Sequence, residues 1–414
     1  MLHDFIVIGA GASGLFFAAR STGGKSVLLL ERQNRAGRKL LISGGGKCNV
    51  TNRNLGPENY HSRGSEQKLL RRFLAPALQA WPAGAMLDFL EEHGIDLEER
   101  EHGQMFCQRG AEELRDLLVD LAGRNGAQIK LGQNIQGVRP APEGGGFEVI
   151  SNGQSHFARR LLLASGGPAW PRAGGGSFGE AVARSFGHSI VPAGPALTPL
   201  SLPPDWPLHG LQGLSLEAGL SLPGSGAPCF TLPLLFTHKG LSGPACLQIS
   251  GYLPASKPGE PGELEIDFLP GQDLSALLDE AANQRLNLAG LLRRLLPERL
   301  IAALLRGAKL ENAATRKLAE LPRAVRKQMV QAVQAHRCHP LAPSFDQAES
   351  SGGGVDLLEI NPATLESRLT PGLHFCGELV DVCGWLGGYN LHWAWASANL
   401  LASLQSKQAE KKRP

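Results

Sequence analysis

Apolar positions near the N-terminus fall into two undivided runs, Phe5-Ile6-Val7-Ile8 and Val27-Leu28-Leu29-Leu30. Short continuous runs of this kind predict strands buried on both faces, as in a parallel sheet. Between them stand Gly9-Ala10-Gly11-Ala12-Ser13-Gly14 and the apolar segment Leu15-Phe16-Phe17-Ala18-Ala19, which predicts a glycine turn followed by a helix. The alternation continues to about residue 195, with helical spacing over 88–92 and 111–124 and strand-like runs over 128–131, 147–150 and 161–164. Near Pro192 the pattern breaks into short runs among frequent prolines and glycines, which predicts a β insert reaching to about Pro270. From Leu274 to about His336 the pairs Leu291-Leu292, Leu295-Leu296, Leu300-Ile301 and Leu304-Leu305 recur at helical spacing. After Pro362 a strand over 373–376 and a helix over 391–405 bring the first character back.

This order predicts an α/β fold. A Rossmann-like domain built from residues 1–195 and 340–414 is interrupted by a β-barrel-like domain at 196–272 and a small helical domain at 273–339. The glycine turn carries its chemistry. Gly9 permits the tight turn, Gly11 lets a pyrophosphate approach the backbone, and Gly14 lets helix and strand pack closely. Ala12 and Ser13 open the helix, whose free N–H groups and partial positive charge suit phosphate. Glu31 lies twenty-two positions after Gly9 and closes the second run, where its carboxylate can accept from ribose hydroxyls. Arg32 beside it, and Gly166 after the strand over 161–164, join the candidate contacts. These features predict an adenine dinucleotide. Gly174-Gly175-Gly176-Ser177-Phe178-Gly179 fits the same glycine pattern, but no strand runs directly into it, so it carries little weight.

With 414 residues, two or three domains are expected. The net charge of +3 is too small to argue for nucleic acid by itself. Arg and Lys are frequent between 274 and 336, but no aromatic stacking residues are interleaved, so a solvated helix surface is the preferred reading over an RNA-binding face. Seven scattered cysteines without a C-x-x-C pair point to free thiols in a reducing compartment. No apolar run approaches the roughly 20 residues a bilayer span needs. The first strand starts at the N-terminus, so no leader is expected. A cytoplasmic protein without membrane association is expected, its oligomeric state unspecified.

Two further segments carry chemistry. Gly37 to Asn52 holds Arg38 and Lys39, which add positive charge for phosphate, and the loop Ser43-Gly44-Gly45-Gly46-Lys47-Cys48-Asn49-Val50-Thr51-Asn52. Ser43, Gly44, Gly45, Asn49, Thr51 and Asn52 offer backbone N–H groups, hydroxyls and amides that can wrap a cofactor. Cys48 has no second cysteine five positions away, which excludes a redox disulfide of the flavin disulfide reductase kind; it reads as a packing residue. Near the C-terminus, Gly377-Glu378-Leu379-Val380-Asp381 and Gly387-Gly388-Tyr389-Asn390-Leu391 place a glycine pair at the start of a helix. That helix end can face the electron-rich edge of a reduced flavin. Asp381 is either a cofactor acceptor or a helix cap. His392 is either a proton donor near the ring or a packing residue, and His238 and Lys239 are either substrate-side groups or part of a turn. No paired carboxylates, nucleophile triad or metal-ligand cluster stands out.

Residues 43–52 (SGGGKCNVTN), 236–248 (FTHKGLSGPACLQ), Ile360-Asn361-Pro362 with Thr364-Leu365-Glu366-Ser367, and 377–396 (GELVDVCGWLGGYNLHWAWA) resemble the BaiN/YhiN-like, or aminoacetone-oxidase-like, flavoproteins. The resemblance runs from the first strand almost to the end. It implies bound FAD, a split FAD domain, and inserted β and helical domains. Cys383 and His392 stand where that family commonly has Asp and Gln, and residues 349–355 replace its usual glycine-valine stretch. The resulting expectation is an FAD-dependent oxidoreductase that transfers hydride between a small organic substrate and the flavin. Oxygen or NAD(P)H would be the electron partner, NAD(P)H as a transient reductant because no second strand–glycine–helix unit is present, and no nucleic acid partner is expected. The alternative is an FAD-binding protein acting on RNA or as a redox-responsive partner, supported by the basic helical insert alone.

Overall fold

A computed structural model describes residues 1–21, 24–142, 145–254 and 262–410, with side chains of 405–410 left aside. It divides into two compact units, one formed by 1–194 with 349–414 and the other by 195–348. In the first unit, β1 (Leu2–Ile8), α1 (Ala12–Arg20) and β2 (Val27–Leu30) occupy the ground the apolar runs mark out. The central sheet runs Gln128–Lys130, β2, β1, Gln154–Leu163, Phe147–Ser151, Ile135–Pro140, with Leu373–Phe375 alongside Gln154–Leu163. The pairs among Gln128–Lys130, β2, β1, Gln154–Leu163 and Leu373–Phe375 are parallel, and the last two strands add an antiparallel ribbon. Every residue of β2 and of Phe5–Ile8 is buried, as undivided apolar runs require.

Helix α1 packs in the core against the long C-terminal helix Tyr389–Glu410 and helix Ala111–Arg124. Phe16 is fully buried, with its ring centroid 5.4 Å from Trp81, 5.5 Å from Phe89 and 5.3 Å from Trp395. Each such side chain contributes roughly 1.5–3 kcal/mol through burial. Gly14 faces β1 at a distance no side chain tolerates: a Cβ there would lie 1.9 Å from the Gly9 carbonyl oxygen. Gly9 is likewise fixed, with φ of 106° and only 2.5 Å between where a Cβ would stand and the Ala164 oxygen.

The second unit holds a six-stranded antiparallel sheet in the order Leu200–Ser201, Gly240–Ser242, Phe230–Phe236, Ser215–Ser221, Leu264–Asp267, His336–Cys338. Its two end strands do not pair with each other, so the barrel-like sheet is an open half-barrel. Trp206 stacks on Phe236 at 5.9 Å and Phe236 on Phe268 at 6.2 Å. Burial drives the neighbouring His336 down to about 4, so it is neutral and can accept from Trp206 Nε1 at 3.3 Å. Helices Leu274–Glu280, Leu288–Leu292, Glu298–Gly307 and Arg323–Gln334 belong to the same unit.

Candidate cofactor site

The carboxyl ends of four parallel strands open onto one cleft of about 480 Å³ in the first unit. Ligands of doubly wound sheets bind at such ends, and the volume is in the range of small-molecule and cofactor sites. Gly9, Gly11, Ala12 and Ser13 follow β1, and Glu31 and Arg32 follow β2. Ala164, Ser165 and Gly166 follow Gln154–Leu163, and Gln133 and Asn134 follow Gln128–Lys130; all line the cleft.

Gly11 is the most telling of these residues. Its φ of −80° suits any residue, and a Cβ added there would meet nothing within 4 Å. Neither backbone strain nor packing calls for glycine here, unlike at Gly9 and Gly14. The missing side chain leaves a cradle at the start of α1, whose N-cap makes no side-chain hydrogen bond and whose first turn carries no acid. Free N–H groups at an uncapped, acid-free helix start are donors for an anion. Gly176, on the cleft wall, shares both properties: ordinary φ and open space where a Cβ would be. The donor set and the two cradles fit a pyrophosphate-bearing dinucleotide.

Glu31 is held in place by its neighbours. Its Oε2 accepts from the Ala10 N–H at 2.7 Å and its Oε1 from the Gln33 N–H at 2.8 Å. The remaining lone pairs are available to ribose hydroxyls. Arg38 Nη1 donates to Gln33 Oε1 at 2.7 Å, and Arg32 Nη2 to the Gly174 oxygen at 3.4 Å. Lys39 Nζ sits 3.0 Å from Glu378 Oε2 and 3.0 Å from the Gly167 oxygen. Glu378 also accepts from Ser351 N and Oγ at 2.9 Å each and from Gly167 N at 3.2 Å. Burial works to raise the Glu378 carboxyl, but the Lys39 ammonium and these donors outweigh it and hold the group below the ordinary carboxylate range. Ser43 faces the cleft with its Oγ donating to the Leu40 oxygen at 2.7 Å. Asn390, Leu391 and Ala394 bring the first turns of the C-terminal helix to the wall, and Asn390 closes onto Gly384 through two 2.8 Å bonds.

Other sequence candidates lie off the cleft. Asp381 is fully buried and accepts from Ser62 Oγ at 2.6 Å, Arg63 N at 3.0 Å, Gly64 N at 2.8 Å and Gly353 N at 3.0 Å. It clamps two loops through these four donors and does not line the cleft. Asn49, Thr51 and Asn52 form β3 (Asn49–Asn52). Thr51 Oγ1 lies 2.8 Å from His392 Nδ1, and Asn52 Nδ2 donates to the Gly387 oxygen at 3.0 Å. The Asn49 amide oxygen, oriented to satisfy both ends of the group, accepts from Gly388 N at 3.2 Å. These polar residues stitch β3 to the C-terminal segment. Gly388 belongs to the same seam, since a Cβ there would lie 2.7 Å from the Thr51 oxygen. Tyr389 donates its hydroxyl to the Asn54 oxygen at 3.5 Å. Gly44 and Gly45 adopt left-handed φ of 56° and 67°, and Gly377 packs on Ser13; neither these three nor Gly14 lines the cleft.

His392 is fully buried and does not line the cleft. Burial pushes it down to about 4, and its neutral ring lies 2.8 Å from the Trp81 oxygen through Nε2, while Nδ1 faces Thr51. The cleft also takes in residues the sequence motifs leave out: Ser165, Gln133, Asn134, Glu349 and the wall formed by Gly174, Gly176, Ser177 and Phe178. The glycine pattern at 174–179 is the signal that could have found the wall. No strand precedes it, which weakens it as a dinucleotide turn, yet a wall segment needs only close backbone approach. The seven cysteines are free, and Cys48 is buried with its thiol pushed well up by burial and by Cys107 beside it.

Residues 3–404 match the family model of the HI0933-like protein Rossmann domain. The chain belongs to the HI0933-like family. The ribosomal RNA dihydrouridine synthase of Escherichia coli K12 is 36% identical over 406 residues, covering 95% of this chain and 96% of that protein. The enzyme of the same name from Haemophilus influenzae is 34% identical over 410 residues, covering 97% and 98%. The 3-dehydro-bile acid delta(4,6)-reductase of Clostridium scindens is 31% identical over 412 residues, covering 95% and 97%. As an HI0933-like protein the chain is an FAD-dependent oxidoreductase with a Rossmann-type FAD domain, in agreement with the BaiN/YhiN-like resemblance. The expectation of a small-molecule substrate without nucleic acid is overturned: two relatives matched over nearly their whole length are named for a reaction on ribosomal RNA. Among the described residues, no helix is long and apolar enough to cross a membrane, and no His, Cys, Asp and Glu cluster suits a metal ion.

Proposed function

We propose that this protein reduces uridine in ribosomal RNA to dihydrouridine, with NAD(P)H as the transient source of electrons. The observation that carries the reading is the 36% identity, over nearly the full length of both chains, to a ribosomal RNA dihydrouridine synthase. The third relative, a bile acid reductase, points to the chemistry shared by the family. Uracil C5=C6 and the delta(4,6) diene of a 3-oxo steroid are both conjugated to a carbonyl. Reducing either adds a hydride to an electron-poor alkene carbon, the β carbon in uracil and the β or δ carbon in the dienone, and a proton to the neighbouring carbon on the carbonyl side.

Bound FAD would supply the hydride; the protein supplies position and charge. Gly11 and the start of α1 are suited to the pyrophosphate, and Glu31 to the adenosine ribose. Gly176 gives a second close approach on the cleft wall. The first turn of the C-terminal helix, at Asn390 and Leu391 on the cleft wall, would offer backbone N–H groups to a flavin edge. Lys39 and Glu378 neutralise one another and fix the loops at Gly167 and Ser351 around that space.

The test offers the FAD-loaded protein, with NADH or NADPH, ribosomal RNA from cells lacking the gene and, separately, a 3-oxo-delta(4,6) steroid. Mass spectrometry of nucleosides is expected to show dihydrouridine that requires FAD and reductant. Steroid reduction without dihydrouridine, on naked RNA and on ribosomal particles alike, would instead favour the second reading, an enone reductase of small molecules.

A further inference from the structure

Charge in the second unit is strongly segregated along the chain. Between residues 205 and 280 there are nine Asp and Glu against two Lys, whereas between 281 and 339 there are twelve Arg and Lys against three Glu. The whole-chain charge of +3 hides this contrast. The structure shows how the twelve cations are used. Arg293 pairs with Glu298, Lys317 with Glu320, Arg326 with Asp279, and Arg337 with Glu263 and Glu265. Arg299 donates to the Gly210 oxygen at 2.8 Å. The other seven, Arg285, Arg294, Arg306, Lys309, Arg316, Arg323 and Lys327, are all exposed, and none has a carboxylate partner among the described residues.

Four of these cations belong to two adjacent helices. Arg306 and Lys309 lie at the end of helix Glu298–Gly307, and Arg323 and Lys327 on helix Arg323–Gln334. The two helices wall a cleft of about 320 Å³, lined by Gly307 and Ala308 from one and Gln328 and Gln331 from the other. Arg316 lies in the connection between them, where its carbonyl accepts from Leu288 N at 3.1 Å. A self-contained helical surface gains nothing from so many like charges, which repel one another. A polyanion with phosphates at regular spacing neutralises them and releases its counterions.

We propose that the basic helical segment 285–327 of the second unit is a docking surface for the RNA phosphate backbone, with Arg306, Lys309, Arg323 and Lys327 at its centre. This rests on the ribosomal RNA reading above. It adds that the second unit grips the substrate by its phosphates. The surface recognises backbone; sequence choice lies elsewhere.

The experiment measures binding of a ribosomal RNA fragment across salt for three proteins: wild type, the variant Arg306→Gln/Lys309→Gln/Arg323→Gln/Lys327→Gln, and a control, Arg71→Gln/Arg72→Gln, on the exposed face of helix Gln67–Ala80 in the first unit. FAD content and melting temperature establish that each protein is folded. The expected result is at least about tenfold weaker binding for the four-site variant at 0.1 M salt. Its log–log salt slope should be shallower by about 0.7 for each phosphate no longer neutralised, with the control unchanged. Wild-type binding by the four-site variant overturns the proposal. So does an equal loss in the control, or binding of phosphatidylglycerol vesicles as tight as that of RNA. If the variant keeps the wild-type KM for dihydrouridine formation, the surface is wrong and the uridine reading stands. If RNA binds through these residues but no uridine is reduced, the surface stands and the uridine reading falls.

Discussion

The two units handle positive charge in opposite ways. At the cofactor cleft, Lys39 is bound to Glu378 and to a backbone carbonyl, and Arg38 to Gln33. In the helical segment of the second unit, seven cations face solvent without a carboxylate among the described residues. A site that holds a cofactor in one geometry profits from cations whose positions are fixed beforehand. A surface that meets a long, flexible polyanion profits from mobile, unneutralised ones. The same residue types are therefore partnered inside the protein in one unit and left to solvent in the other.

The preorganised cleft is most severely broken at Gly14. Gly14→Ala puts a Cβ 1.9 Å from the Gly9 oxygen, a clash with backbone that no rotamer relieves. A loss of about 3 kcal/mol or more is expected, with FAD lost as a consequence; thermal unfolding measures it. Glu31→Ala leaves the Ala10 and Gln33 N–H groups without their acceptor, at a cost of about 1–3 kcal/mol, and removes the ribose partner. Equilibrium dialysis of FAD should show weaker retention, and unchanged affinity would mean that the ribose contact is wrongly assigned.

Gly11→Thr separates ligand from fold. Threonine is about as good an N-cap as glycine, and the site has room, so stability should stay within about 0.5 kcal/mol. FAD affinity should nonetheless fall at least tenfold, about 1.4 kcal/mol. Equal affinity in wild type and variant would show that the cradle holds no phosphate.

The smallest effect belongs to Lys39→Met. Glu378 in the wild type is held below its unfolded value of about 4.3. Its stabilisation is therefore present above that pH and is lost as pH falls through the folded value. The variant should be about 1 kcal/mol less stable at neutral pH, the pair being partly solvent-screened. The difference should close on acidification below about pH 4 in parallel denaturant titrations. A constant difference at all pH values would assign the effect to packing instead.

Much of the first unit was legible because local rules and global fold agree there. The undivided runs at 5–8 and 27–30 became adjacent parallel strands, and Gly9, Gly11 and Glu31 reached the cleft because turn geometry fixes them within a few residues of β1 and β2. Asn49, Thr51, Asn52 and Asp381 lie off the cleft, which sequence does not show, because a polar residue beside a cofactor motif looks the same whether it serves the ligand or the protein. Only tertiary structure shows that their partners are His392, Gly387 and loop N–H groups from distant parts of the chain. On the proposed docking surface, the helical cations would carry more than their sequence signal suggests. Net charge averages over the chain, and the absence of interleaved aromatics argues against base stacking, not against contacts to phosphate.

Reduction of ribosomal RNA uridine through the cofactor cleft is most directly tested by the dihydrouridine content of ribosomal RNA from cells lacking this gene, complemented with wild type or with Gly11→Thr. A dihydrouridine present in the parent should be absent from the deletion strain, return with wild type, and stay absent or low with Gly11→Thr despite normal protein levels. Unchanged ribosomal RNA dihydrouridine in the deletion strain would contradict that function.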